Sequence, residues 1–407
     1  MNTVFTKSSN LNQVSYEIRG PILKEVKRLE AENQKITRLN IGSPASFGLF
    51  APDTVLDDIK NNITRAQAQA YCDSNGIEEA RAAIVRYYNR KGVGNIGLDD
   101  VYTGNGVSEL ILLVMQALLN KGDEVLVPAP DYPLWTGSVN FSQGRAVHYL
   151  CDEAADWMPD LQDVERKITA KTKAIVIINP NNPTGAVYSK DCLEKLVRLA
   201  EKHRLIIYSD EIYDKILYDG EKHISPASMT EDTLVVTLSG LSKSHRMAGF
   251  RTGWMVLSGN REMAQDYIEG LQLLSSMRLC SNVPSQYAIC NALDGYQCIN
   301  DLVVPGGRLY EQREIAWRLL NEIPGVSCTK PRGAFYMFPR LDMEHFGLKD
   351  DRKFALDLLR EKKILIVQGT GFNWFHPDHF RLVALMDPVG LTKAVTDIGD
   401  FLSTYHQ

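Results

Sequence analysis

The sequence has no apolar run approaching the ~18 residues that would span a bilayer. Its opening stretch, MNTVFTKSSNLNQ, carries no apolar signal-peptide core, so a cytoplasmic location is the expectation. Charge of one sign is also scarce. In 407 residues, 45 Lys and Arg stand against 50 Asp and Glu, for a formal net charge of -5. These charges are dispersed, which leaves no electrostatic footprint for nucleic acid or an anionic membrane and points to small metabolites as partners. The seven cysteines (Cys72, Cys151, Cys192, Cys280, Cys290, Cys298 and Cys328) are odd in number and never spaced C-x-x-C. Free thiols are therefore expected rather than a disulfide framework or a zinc site. The H-x-x-H of His376 and His379 is broken by Pro377 and lacks neighbouring ligands, so no metal is expected there. No internal repeat, low-complexity segment or Gly/Ser-rich linker divides the chain.

What is present is alternation. Short apolar runs (VYTGN, EVLVPAP, AIVIINPNN, LIIYSDEIY, TLVVTLSG) are separated by helical patterns such as VSELILLVMQALLNKGD and the helix from Asp191 to His203. Buried strands with helical crossovers predict an α/β unit around a mostly parallel sheet. The tail reads differently: a helix in GRLYEQREIAWRLLNEI, short strands in VSCTKP, GAFYMFPRL, ILIVQG and FRLVAL, and helices from Lys353 to Glu361 and Gly390 to Tyr405. The helix from Pro21 to Asn33 and the strand ITRLNIGSP cannot build a core of their own and are expected to pack on this tail. The division expected is residues 1–48 (an arm and the first part of a small α+β domain), 49–300 (the large domain) and 301–407 (the rest of the small domain).

Four stretches at predicted strand ends are rich in groups that do little for packing: TGNGVSE (103–109), NPNNPTG (179–185), SDEIY (209–213) and LSGLSKSHRMAGFRTGW (238–254). In open α/β sheets ligands bind beyond the carboxyl ends of the strands, so one ligand could touch all four. Gly104-Asn105-Gly106 follows a strand and opens a helix. No glycine stands three residues after Gly106, so the dinucleotide fingerprint is incomplete, yet a helix start still makes a phosphate seat. Ser242 and Arg251 could add a hydroxyl and a fixed cation. Asp210, ending an apolar strand, is costly unless it pairs with a cation such as a protonated ring nitrogen; its plainer reading is a helix N-cap. Tyr213 and Asn182 suit a phenolate oxygen, and Lys243 an aldehyde. Asn182-Pro183 is a candidate cis bond.

These residues fall into S-K-x-x-x-x-x-G-x-R-x-G (Ser242 to Gly253), N-P-T-G (Asn182 to Gly185), D-E-x-Y (Asp210 to Tyr213), Y-x-x-x-x-G (Tyr71 to Gly76), P-x-G-A-F-Y (Pro331 to Tyr336) and F-R-L (Phe380 to Leu382). Six motifs in this order, over nearly the whole chain, resemble the fold type I class I/II aminotransferases that depend on pyridoxal 5′-phosphate. Within them, YEIRGPILKEVKRLE, LNIGSPASFG, PAPDYPLW and LIVQGTGFNW look most like the bacterial alanine (glutamate–pyruvate) aminotransferases. The resemblance implies a large domain with a mostly parallel seven-stranded sheet, a small α+β domain from both chain ends, and a homodimer with shared sites. It implies that Lys243 anchors the cofactor covalently and shuttles the proton between substrate Cα and cofactor C4′. Asp210 would keep the pyridine nitrogen protonated. Tyr213 and Asn182 would hold its phenolic oxygen, and Tyr132 would stack on the ring. The phosphate would take Gly106, Val107, Ser108, Ser242, Arg251 and, from a second subunit, Tyr71. Arg381 would grip the substrate α-carboxylate bidentately, with Gly42 and Asn182 completing its seat. Arg19, with Tyr16 beside it, is the candidate for a movable second cation; the equal alternative is that it caps or pairs near the helix starting at Pro21.

Two departures stand out. Gly240 occupies a position, three before the lysine, where many relatives carry a hydroxyl, and the stacking ring is a tyrosine where some carry tryptophan. The expected reaction moves an amino group between L-alanine and 2-oxoglutarate in ping-pong fashion. An aminotransferase for another amino acid, or a carbon–sulfur β-lyase of the same fold, are the alternatives. A transcription regulator of this fold would need a DNA-binding module, for which the N-terminal stretch offers no room.

Overall fold

A computed structural model describes residues 5–12, 14 and 20–407. Its large sheet comprises β1 (Val101–Gly104), β2 (Glu124–Ala129), β3 (Arg145–Asp152), the two-residue edge β4 (Met158–Pro159), β5 (Thr172–Ile178), β6 (Ile206–Asp210), β7 (Leu234–Gly240) and β8 (Gly253–Gly259), in the order β1-β8-β7-β6-β5-β2-β3-β4. Neighbours from β3 through β2, β5 and β6 to β7 are parallel. β8 runs antiparallel to both β7 and β1. The seven longer strands make the mostly parallel sheet that the sequence implies.

The central strands are apolar throughout because both faces are covered. On one face Val125, Val176, Tyr208 and Met255 pack with Leu110, Ile111 and Val114 of the helix Val107–Leu118 and Leu271 of Gln265–Met277. On the other, Leu126, Ile175, Ile207 and Val256 pack with Ile84 and Tyr88 of Glu78–Arg90 and Leu193 and Leu196 of Lys190–His203. A second core joins the two ends of the chain. Ile22, Val26 and Leu29 of the helix Pro21–Ala31 pack with Leu358 and Leu359 of Asp351–Lys362 and Ile398 of Pro388–Leu402. Thr37–Arg38 pairs in parallel with Ile364–Leu365.

The differences from the sequence reading are local. β3 and β8 are not among the runs picked out: RAVHYLCD is half polar because β3 lies next to the sheet's edge, and GWMVLSG follows directly on the lysine loop. The run ILIVQG divides. Ile364–Leu365 joins Thr37–Arg38, whereas Val367–Gln368 pairs antiparallel with Phe380–Val383. ITRLNIGSP supplies only Thr37–Arg38 as strand. The bond Asn182–Pro183 is cis, as are Ala129–Pro130 and Asn179–Pro180.

Candidate active site

The carboxyl ends of β1, β2, β5, β6 and β7 lie along one rim of the sheet. Because β8 is antiparallel, its start returns to the same rim, with Gly253 in register with Gly104 on one side and Gly240 on the other. A cavity of about 520 Å3 opens there, lined by Gly42, Val107, Ser108, Tyr132, Asn182, Asp210, Tyr213, Ser242, Lys243, Arg251, Tyr336 and Arg381 among others. Residues that the sequence scatters over most of its length thus meet in one place. Gly106 sits directly behind, as N-cap of Val107–Leu118 with φ +81°.

At the rim the backbone is packed too closely for side chains. A Cβ on Gly253 would run into the backbone of Gly106 and Val107, and one on Gly106 into the Arg251 guanidinium. The first-turn N–H groups of Val107 and Ser108 have no intrahelical acceptor by construction, and the Ser242 hydroxyl and Arg251 guanidinium face the same cavity. Arg251 itself sits at φ +55°, a left-handed conformation that costs about 1 to 3 kcal/mol for a residue with a Cβ, so the surrounding loop enforces it. Gly240 also has a physical reason: a Cβ there would meet the carbonyl of Thr252, just before the adjoining strand β8.

Asp210 is 2% exposed at the end of β6. Trp135 Nε1 donates to its Oδ2 at 3.0 Å, and the Ile212 backbone N–H donates to Oδ1 at 3.3 Å. No helix starts at Asp210, so its cap-like bond closes a turn and the N-cap reading does not hold. Burial pushes its carboxyl up to about 6 despite those donors. Such a carboxylate needs a cation and finds no arginine or lysine in ion-pair contact among the described residues.

Lys243 keeps part of its surface open to the cavity, and its ammonium donates to the Gly42 carbonyl at 2.7 Å. Burial, followed by the positive charges of Arg381 and Arg251, lowers it to about 8. Tyr213 shares a 2.5 Å hydrogen bond with Tyr336, and burial, with Tyr336 next, drives its phenol well above the ordinary range.

Arg381, on Phe380–Val383, is 7% exposed. Its guanidinium donates to Asn182 Oδ1 (3.0 Å) and to the Asn40 carbonyl (2.5 Å), and lies between the rings of Tyr336 and Phe372, each 4.7 Å away. Its buried Nε has no partner, and among the described residues no carboxylate pairs with it. This burial rules out a solvent-exposed salt bridge at the strand's end. Gly42 is small of necessity, since a Cβ there would strike the Tyr336 hydroxyl.

Tyr71 is the exception: it is 78% exposed and does not line the cavity of its own chain. Tyr16 and Arg19 lie outside the described residues. His379 is buried against Phe338 and bonded to Asp378, whereas His376 is exposed, so the two do not form a shared site. Glu211, Asp214 and His223 do converge, but Lys91 Nζ contacts all three at 2.9 to 3.1 Å and the cluster is an ion-pair network. Sequence reasoning gave no site role to Trp135, Tyr336 or Phe372. Trp135 and Phe372 stand within PAPDYPLW and LIVQGTGFNW, and Tyr336 ends P-x-G-A-F-Y, so the motifs contain them but offer no geometry from which to assign their contacts.

A helix-start anion seat, a buried acid with no cation beside it among the described residues, and a lysine lowered to about 8 near a buried arginine are groups that a phosphorylated, ring-protonated aldehyde and a carboxylate substrate would fit. Residues 34–398 match the family "Aminotransferase class I and II". The chain belongs to this family, whose members use pyridoxal 5′-phosphate to exchange the amino group of an amino acid with a 2-oxo acid. It is 58% identical over 401 residues to the glutamate-pyruvate aminotransferase AlaA of Escherichia coli (strain K12), covering 98% of each chain. It is 56% identical over 404 residues to an alanine aminotransferase of Mycobacterium tuberculosis (strain ATCC 25618 / H37Rv), covering 99% of this chain and 94% of that one. A crystal structure of an aminotransferase from Escherichia coli, 57% identical, matches over 100% of both chains with a TM-score of 0.98. The cradle, Asp210 and Lys243 fit the cofactor. No helix among the described residues is long and apolar enough to cross a membrane.

Proposed function

We propose that this enzyme transfers the amino group between L-alanine and 2-oxoglutarate, giving pyruvate and L-glutamate, in the cytoplasm and as a homodimer with shared sites. The observation that carries the reading is Arg381, buried, packed within 4.7 Å of two aromatic rings, bonded to two acceptors, and left with an Nε that has no partner and no carboxylate beside it among the described residues. A planar fork so held suits a ligand carboxylate bidentately. The relatives 56 to 58% identical over nearly the full length are named for alanine and for the glutamate–pyruvate pair.

The bound cofactor supplies an electron-accepting ring and an aldehyde carbon. In this reading the N–H groups of Val107 and Ser108, the Ser242 hydroxyl and Arg251 hold its phosphate, and the Tyr71 hydroxyl reaches it from the neighbouring subunit. Asp210 would accept a hydrogen bond from the protonated ring nitrogen. Tyr213 and the Asn182 amide orient the ring oxygen, and Tyr132 covers a ring face. Arg381 fixes the substrate carboxylate and Gly42 leaves room beside it. Lys243, with a pKa of about 8, anchors the cofactor and then takes and returns the proton at the substrate Cα. A pKa near the working pH lets one amine serve as base and acid.

The test is a half-reaction screen of the purified holoenzyme against each amino acid, followed by cofactor absorbance, then by 2-oxo acids. Alanine and glutamate should each convert the cofactor to its amine form, and pyruvate and 2-oxoglutarate should reverse it. Turnover of a cysteine-type substrate with no 2-oxo acid acceptor would instead establish a β-lyase.

A further inference from the structure

Two stretches that the sequence singles out, PAPDYPLW and LIVQGTGFNW, meet behind the cavity through residues with no part in the reaction described above. Asp131 is fully buried. Its backbone N–H donates to the Phe372 carbonyl at 2.9 Å, and Asn373 Nδ2 donates to its Oδ1 at 2.7 Å. Thr136 Oγ1 donates to Oδ2 at 2.5 Å, and the Thr136 hydroxyl also meets His148 Nε2 at 2.8 Å. Asp131 and Asn373 each adjoin a wall of the site: Tyr132 follows Asp131, and Phe372, which precedes Asn373, lies 4.7 Å from the Arg381 guanidinium.

A buried acid with no cation beside it among the described residues is a costly way to fill an interior, and burial pushes the Asp131 carboxyl up to about 7. His148 lies 4.0 Å from Asp131, but burial lowers it to about 4 and keeps it neutral, so it does not offset that cost. What an acid offers here and an apolar side chain does not is direction, since each oxygen accepts from a different segment. Asn373 suits the other half of this contact. At φ +56° it occupies the left-handed conformation that asparagine tolerates, and its amide points back to Asp131.

We propose that Asp131 and Asn373 are a positioning pair, a latch that ties the loop presenting Tyr132 to the loop presenting Phe372 and thereby fixes the carboxylate seat of Arg381 relative to the ring face. The proposal rests on the transamination reading for its kinetic consequence, but the latch itself is a property of the protein without cofactor. Asn373→Gly removes the amide and leaves the left-handed backbone at ease. Loss of one hydrogen bond to a buried acid predicts a KM for both alanine and 2-oxoglutarate raised about three- to tenfold, with kcat altered less than about threefold. Backbone amides of 369–374 in the cofactor-free protein should exchange with deuterium faster. Asn373→Asp alone opposes two carboxylates and should be worse than the glycine variant. Asp131→Asn combined with Asn373→Asp re-forms the pair with donor and acceptor exchanged and should recover most of the KM and the slow exchange. Asn373→Ser, too short to reach Asp131, reads the same loss should the exchanged pair not fold. Faster amide exchange with unchanged KM would reduce the pair to a loop anchor and overturn the proposal, as would a doubly substituted protein no better than Asn373→Asp. A wild-type enzyme inert toward every amino acid would instead refute the transamination reading, and the amide-exchange comparison would still report on the latch.

Discussion

Trp135 hands its indole N–H to Asp210 across 3.0 Å in the protein interior, and this bond is the strongest influence holding down an acid that burial pushes up. Trp135→Phe keeps the ring and removes the N–H. The Asp210 pKa should then climb above about 6, leaving less carboxylate at neutral pH to hold a protonated ring nitrogen. Loss of a hydrogen bond to a charged group predicts cofactor affinity about ten- to a hundredfold weaker. Its acid limb should move to higher pH, as measured by equilibrium dialysis across a pH series. Unaltered affinity and limb would show that Trp135 merely fills space.

The same acid links function to stability with opposite signs. Its folded-state pKa lies above the unfolded value, so the cost to the cofactor-free protein is absent below about 4, builds as pH rises from there, and is complete above about 6. Asp210→Asn should therefore raise the melting temperature of the cofactor-free protein at pH 7 to 8, by an amount equivalent to roughly 1 to 3 kcal/mol, while weakening its hold on the cofactor. Calorimetry with and without cofactor separates the two.

Lys243 should be the residue to which borohydride fixes the cofactor, as peptide mapping would reveal. Its lowered pKa means that the free amine appears as pH rises through about 8, two units or so before an exposed lysine. Capture of cofactor by the cofactor-free enzyme should accelerate with that midpoint. Lys243→Ala should retain some cofactor by its other contacts and lose turnover by orders of magnitude. Near-normal turnover in that variant would remove the central assignment.

Arg381 and Arg19 are expected to differ in what they discriminate. Arg381→Lys loses the fork and both stacking faces, so KM should rise about ten- to a hundredfold for alanine, pyruvate, glutamate and 2-oxoglutarate alike. Arg19→Ala should raise it by a similar factor for glutamate and 2-oxoglutarate and by much less for alanine and pyruvate, because a permanent cation facing the alanine methyl would be unpaired. Equal losses for both substrate pairs would make Arg19 structural.

Tyr71, exposed in a single chain, is expected to complete a neighbour's phosphate seat. Tyr71→Phe must first be shown to be impaired; mixing it with Lys243→Ala should then restore a fraction of the activity, since one site of each mixed dimer is intact. No recovery on verified mixed dimers would place both groups in a single chain's site.

Much of the site was legible because its chemistry is expensive. Lys243, Asp210 and Arg381 stand beside or within apolar strands where a charge has no packing purpose, and the glycines at 104, 106 and 253 fall where strands end. Asp131, Trp135, Asn373 and Tyr336 were not legible as site residues, because each acts through a partner remote in sequence that no local pattern identifies. β3 escaped because a strand near the edge of a sheet keeps polar residues, and the break at Ile366 because the two halves of ILIVQG serve different partners.

The pairing of Thr37–Arg38 with Ile364–Leu365, and of the helix Pro21–Ala31 with Asp351–Lys362, has a consequence for synthesis. The early helix leaves the ribosome with Ile22, Val26 and Leu29 exposed and nothing to cover them until almost the entire chain has followed. Contacts so distant in sequence form late. The large sheet can assemble during translation, whereas Arg381, Phe372 and Gly42 depend on the closing of this late core. Catalytic competence is thus acquired last, and a chain truncated within its final helix would have an intact sheet rim but no firm seat for a substrate carboxylate.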